Sequence, residues 1–165
     1  MKIIHQISNL VTRHLRKFGL LAPLTFDQQV WGAKSVMDLV QFDSEFMLAE
    51  SDTGGTMYTV WSGSRDQIAW GISVDVTGHA TTPAHDDGRG TDCGIWTYPP
   101  KVSYAQATQL LIKAGILDVP TFCRLRQTVD YRKYNPFYDF VFDNGKGGSA
   151  HVDAETSVVT KIPPV

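Results

Sequence analysis

Cysteine, net charge and long apolar runs are all scarce in this 165-residue chain, and each scarcity excludes something. Two cysteines, Cys93 and Cys123, cannot make a disulfide framework. Free thiols in a reducing, cytoplasmic compartment are the expectation. A formal net charge of −2, from 15 basic and 17 acidic residues, does not suit a protein that neutralises a polyanion, so no nucleic-acid partner is expected. No stretch approaches the ~20 apolar residues that cross a bilayer, and no membrane association is expected. The opening MKIIHQISNLVTRHLRK has an early lysine, but His5 and Gln6 interrupt any apolar leader, so a signal peptide is not expected. Nucleophile elbow, phosphate loop and dinucleotide glycine fingerprint are all missing. Ser62-Gly63-Ser64 reads as a turn, and Gly145-Lys146-Gly147-Gly148 lacks a strand-loop-helix setting.

What is present is enough apolar matter, 42%, to bury a core, and a charge distribution that changes along the chain. Residues 1–34 sum to +4, residues 35–92 to −8 and the remainder to +2. An acidic middle between basic ends is first of all a solvated face, and secondarily a surface for a basic partner.

Periodicity predicts an α+β fold with helices packed on an antiparallel sheet. Ile3, Ile7, Leu10, His14 and Phe18 fall on one face of an N-terminal helix that Gly19 can stop. Thr25 and Gln28 form a capping box for a second helix, with Phe26, Val30, Ala33, Met37 and Val40 as its buried stripe. Strands are expected over Glu45–Glu50 and Thr56–Trp61. The clearest strand is the alternation of Ile68, Trp70, Ile72, Val74 and Val76 with small or polar residues. Gly78–Pro100 is irregular. Ser103 then caps another helix, with Ala107, Leu110, Leu111 and Ala114 inward and Gly115 as its stop. Thr121–Val129, Phe137–Phe142, Ser149–Ala154 and Val158–Ile162 complete a meander, with Asn144-Gly145 as a hairpin signal. Val158–Ile162 and Thr56–Trp61 are the candidate sheet edges.

The series helix, alternating strands and Val-Asp turn occurs twice. Thr25-Phe26-Asp27-Gln28 and Val74-Asp75-Val76-Thr77-Gly78 match Ser103-Tyr104-Ala105-Gln106 and Val152-Asp153-Ala154-Glu155-Thr156, each 78 residues on. The expected organisation is an N-terminal helix and connection (1–24), a first α+β unit (25–82), a linking loop (83–100) and a second α+β unit (101–165). Residues 101–162, through SYAQATQLLIKAG, YDFVFDNG and AHVDAETSVVTKI, resemble the PepSY-like family of helix-plus-meander modules. Asp153 to Thr156 stand where that family often has Asp-X-X-Thr-Gly, with Ser157 in place of the glycine. The resemblance implies an inhibitory, propeptide-like or sensory module without catalysis. In outline the arrangement also resembles tandem-repeat proteinaceous inhibitors that bind enzymes with a concave sheet.

No residue set looks catalytic, and no cofactor or metal is expected. His79, His85, Asp86, Asp87, Asp92 and Cys93 are the densest polar cluster, but they lack the spacing of a zinc site or an EF-hand. His151, Asp153 and Glu155 share one strand face, which Arg124 and Arg126 can join from another strand. That face is either a solvated set of ordinary charge pairs or a polar binding site. The candidate binding residues are Trp96, Tyr98, Tyr131 and Tyr134 on loops, with Arg124, Arg126, His151 and Asp153 on strands. The expected function is a non-enzymatic protein-binding or regulatory, inhibitor-like module, monomeric or weakly dimeric. The alternative is a small-ligand binder or enzyme using a polar pocket.

Overall fold

Both long helices begin with the same device. In the computed structural model, which describes residues 12–40, 45–51, 54–62, 68–86, 88, 92–128 and 134–164, helix α1 spans Phe26–Val40 and helix α2 spans Tyr104–Lys113. The Gln28 amide donates to Thr25 Oγ1 (3.4 Å) while the Thr25 amide donates to Gln28 Oε1 (3.0 Å). Ser103 and Gln106 repeat the exchange at α2 (3.3 and 2.8 Å). Each box satisfies two amides that a helix start would otherwise leave unpaired. Gly115, at φ +75°, ends α2 in the left-handed conformation that a residue with Cβ resists. Ahead of α1, residues 12–17 are helical and Gly19 takes a φ of +70°, the stop expected of it. Ile3, Ile7 and Leu10 lie outside the described residues.

Among the described residues, eight strands form one antiparallel sheet. They are β1 (Glu45–Ser51), β2 (Met57–Ser62), β3 (Ala69–Val74), β4 (Ala84–His85), β5 (Phe122–Arg126), β6 (Phe137–Val141), β7 (Ser149–Asp153) and β8 (Val159–Ile162). Their order is β4-β3-β2-β1-β5-β6-β7-β8. The first strands after each helix, β1 and β5, therefore meet at the centre, and each meander runs outward from them. β8 lies at an edge, but Met57–Ser62 does not: β3 and then β4 pair beyond it, so the expected edge at Thr56–Trp61 is an interior strand. The Asn144-Gly145 hairpin is wider than a two-residue turn. Asp143–Gly145 makes a 3-10 turn, and the Phe142 amide closes on the Gly148 carbonyl (3.1 Å).

One face of the sheet carries the helices. Val30, Ala33 and Met37 of α1 and Ala107 and Leu111 of α2 bury against Met57, Trp61, Ile72, Leu125, Tyr138, Phe140 and Val152. Each such aliphatic or aromatic side chain stabilises the fold by about 1.5–3 kcal/mol on burial. A buried polar group, Gln29, ties α1 to the sheet by donating from Nε2 to the carbonyls of Gly55 (2.7 Å) and Val74 (2.8 Å). The helix starts meet above the central strands. Phe26 stacks on Tyr104 with ring centroids 4.6 Å apart and planes 3° apart, and the Tyr104 amide donates to the Asp27 carboxylate (3.3–3.4 Å).

Candidate functional site

Strand alternation sends every second residue to the sheet face opposite the helices. Register aligns these residues into rows across the strands. One row runs Ser73, Tyr58, Glu50, Arg124, Asp139, His151, Thr160, each directly opposite the next. The adjacent row runs Val60, Leu48, Arg126, Phe137, Asp153.

The two halves of this face are finished differently. Over β1–β3, Cys93 and Gly94 lie across this face and Asp86 reaches it from the edge strand. The Gly94 amide donates to the Gln127 carbonyl (2.8 Å), the Trp96 amide to the Phe46 carbonyl (3.1 Å), and the Tyr58 hydroxyl to Asp86 Oδ1 (3.0 Å). Cys93 closes a small apolar cluster with Leu48 and Val60, which are 2% and 0% exposed. Tyr58 lies over Gly71, whose lack of a Cβ makes room for the ring. Over β5–β7 the same face is charged and aromatic, and Arg124, Arg126, Phe137 and His151 all stay partly exposed.

Aromatic rings hold the arginines. The Arg124 guanidinium sits 4.8 Å from the Phe122 ring centroid and that of Arg126 sits 5.6 Å from the Phe137 centroid. Phe137 packs on its other side against His151, with centroids 4.6 Å apart. His151 Nε2 approaches Asp139 Oδ1 at 3.3 Å. Burial alone would raise the Asp139 carboxyl, but the His151 hydrogen bond and the charges of His151, Arg124 and Arg126 outweigh it and hold the group below its ordinary range. The Nε atoms of both arginines and the Thr128 hydroxyl are buried without a hydrogen-bond partner. A cavity of about 440 Å³ continues the face toward β8, lined among others by Thr128, Tyr134, Phe137, His151 and Thr160.

The residues proposed from sequence are distributed as follows. Arg124, Arg126 and His151 converge on this face, and Tyr134 and Asp153 line its cavity. Asp153 is occupied structurally: its carboxylate accepts the amides of Glu155 (2.9 Å) and Thr156 (2.7 Å), as Asp75 accepts those of Thr77 and His79 (both 2.9 Å). Trp96 and Tyr98 do not stand out on a loop. Trp96 packs edge-on to Phe46 at 4.8 Å, and Tyr98 is buried beside Phe46 and Trp31, so both anchor the linking segment to the core. Burial, reinforced by the Asp27 charge, pushes the Tyr98 phenol well above its usual range. Tyr131 lies outside the described residues. Asp139 and Phe137 were missing from the sequence-derived set. Their signal was present: both alternate with the buried Tyr138 and Phe140, and a carboxylate in the middle of an aromatic strand needs a partner.

Among the described residues, no three His, Cys, Asp or Glu side chains gather closely enough to hold a metal. Of the polar cluster read from the sequence, His85 packs on Trp70 (4.8 Å), Asp86 accepts from Tyr58, and His79 Nδ1 lies 3.0 Å from Arg13. Both cysteines are free, and they belong to clusters on opposite faces of the sheet. Burial raises both thiols, that of Cys93 against the opposing pull of Arg126 and Arg124. No helix among the described residues is long and apolar enough to cross a membrane.

No protein-family model matches the chain, and no curated protein does. A crystal structure of a Clostridium difficile 630 protein, described as a candidate lipoprotein, is similar to it with a TM-score of 0.61 at 14% identity, covering 84% of this chain and 94% of that one. At that identity the likeness shows a shared fold.

Proposed function

We propose that this chain is a non-enzymatic protein-binding module, regulatory or inhibitor-like, that takes its partner on the partly exposed face of β5–β7. The observation that carries the reading is the contrast within one sheet face. Over β1–β3 it carries an apolar cluster closed by the chain's own Cys93, while over β5–β7 it carries two arginines and two ring side chains that are partly exposed. Arginine and aromatic side chains concentrate binding energy when association buries them.

The topology supports reading the chain as two tandem helix-plus-meander units related by 78 residues, the second PepSY-like. The capping residues Thr25 and Ser103, the stacked rings Phe26 and Tyr104, the paired Leu48 and Arg126, and the turn carboxylates Asp75 and Asp153 all fall at that separation. The free thiols favour a reducing, cytoplasmic setting. A monomer or weak dimer follows from edges that discourage pairing: β4 has two residues, and β8 carries Lys161 and is followed by Pro163 and Pro164.

The test is site-specific photo-crosslinking. A benzophenone side chain at Phe137 is expected to capture a discrete protein that the same group at exposed Lys113, on the helix side, does not. Identical products at both sites, or none at Phe137, would overturn the reading. A small-ligand reading rests on the 440 Å³ cavity beside His151. Fragments that perturb the His151 ring protons, with no protein captured at Phe137, would favour it instead.

A further inference from the structure

The partly exposed face of β5–β7 has a direction. Arg124, Arg126 and Thr128 occupy alternate positions along β5 and its continuation, so their side chains point the same way. Each holds one buried polar atom that lacks a hydrogen-bond partner: Nε, Nε and Oγ1. A buried unmet donor costs about 1–3 kcal/mol, and native proteins carry few of them. Here three stand in line, and among the described residues no ion pair reaches either guanidinium. The aromatic rings of Phe122 and Phe137 fix the guanidinium groups without occupying their hydrogen-bond donors.

Two carboxylates flank Arg124 in its row, Glu50 on β1 and Asp139 on β6. Asp139 is already engaged by His151 at 3.3 Å. Asp153, at the far end of the second row, is filled by the amides of Glu155 and Thr156 and by the Asn135 side chain (3.0 Å). Glu50 stands opposite Arg124 and Asp139 feels both guanidinium charges, but among the described residues no carboxylate closes an ion pair with Arg124 or Arg126. Alternate residues on a strand stand roughly 6.6 Å apart, which is also the spacing of alternate side chains in any extended peptide.

We propose that the partner of this face is an extended acidic segment of a protein, with carboxylates at alternate positions that pair with Arg124 and Arg126. The proposal rests on the reading of the β5–β7 face as the docking face and specifies what docks there. A polar group of the same segment reaches Thr128, and Phe137 packs beneath it between the second carboxylate and His151. Planar, forked recognition by arginine makes the site selective for carboxylates in register over diffuse negative charge.

The experiment follows the arginine Nε–Hε resonances of the ¹⁵N-labelled full chain during titration with three probes. These are an acetylated Glu-Ser-Glu-Ser-Glu-Ser amide, a Glu-Glu-Glu-Ser-Ser-Ser amide of equal charge, and inorganic phosphate. The alternating peptide is expected to shift the Arg124 and Arg126 signals together and saturably, and to bind more tightly than either other probe. R124Q and R126Q are each expected to weaken it about tenfold, the loss of one charged hydrogen-bonding fork, while amide dispersion reports that the fold persists. R124K and R126K keep the charge and should recover only part of the affinity. Equal binding of the two peptides would remove the register argument and overturn the proposal. Phosphate saturating as tightly as the alternating peptide would make this a small-anion site and overturn it too. So would silence of both arginine signals at millimolar peptide. If crosslinking at Phe137 still captures a partner from R124Q/R126Q protein undiminished, the acidic-segment inference falls while the docking face stands.

Discussion

The two halves of the sheet share strand number, connection pattern and helix cover, and differ in what lies on the other face. On β1–β3 that face holds Leu48, Val60 and Tyr58 with Cys93 packed on them; on β5–β7 the corresponding surface holds Arg124, Arg126, Phe137 and His151. At the seam the two styles meet residue to residue, because Leu48 lies directly opposite Arg126. An apolar side chain needs cover within its own chain, whereas an arginine stacked on a ring tolerates water until something better arrives. The apolar half therefore contributes stability, and the arginine-bearing half is the one on which the proposed docking rests.

The sharpest way to break that comparison is to truncate across the seam. Leu48→Ala opens a cavity in the covered half and is expected to cost about 2–4 kcal/mol in urea unfolding. Arg126→Ala, its register partner, is expected to cost less than about 1 kcal/mol. Equal losses would abolish the division of labour. Next comes Asp139→Asn, expected to cost about 1–2 kcal/mol at pH 7 through the lost charged contact to His151. The folded-state carboxyl lies below its ordinary value of 3.8, so its contribution is present above that value and is lost as pH falls through the lower, folded one. Unfolding curves of wild type and Asp139→Asn should therefore converge as pH drops below the ordinary carboxylate range; a difference that persists there would show that packing, not charge, was lost. The smallest effect belongs to Tyr58→Phe, which removes the hydroxyl bond to Asp86 at about 0.5–1.5 kcal/mol. Hydrogen exchange should quicken at Gly94 and Trp96 in the covering segment and remain unchanged at Phe140 and Val152.

Much of the fold was legible because its signals are local. The capping boxes at Thr25 and Ser103, the stop at Gly115 and the alternation of Cys123, Leu125, Tyr138 and Phe140 each act within a few residues of chain. The strand order was not legible, since nothing in MYTVWS distinguishes an edge from an interior strand until β3 and β4 are seen beyond it. The convergence of Arg124, Arg126 and His151 was anticipated from alternation, but Asp139 between them required the register of β6. Trp96 and Tyr98 sit in an irregular, polar stretch, which by itself suggests display. Their partners, Phe46 and Trp31, lie dozens of residues away, and only the folded chain brings them together.

The stacking of Phe26 on Tyr104 bears on how stiff the molecule is. The seam between β1 and β5 is a ladder of backbone bonds, and a ladder alone is a hinge line about which two half-sheets can flex. Above it the ring stack and the Asp27 carboxylate fasten one helix start to the other, on the opposite side of the hinge from Arg124 and Arg126. A brace set off from a hinge resists bending far better than the same contacts would on the hinge itself. Arg124 and Arg126, on the strand that borders that line, thus stand where the brace opposes flexing, which would lower the ordering cost of the docking proposed above.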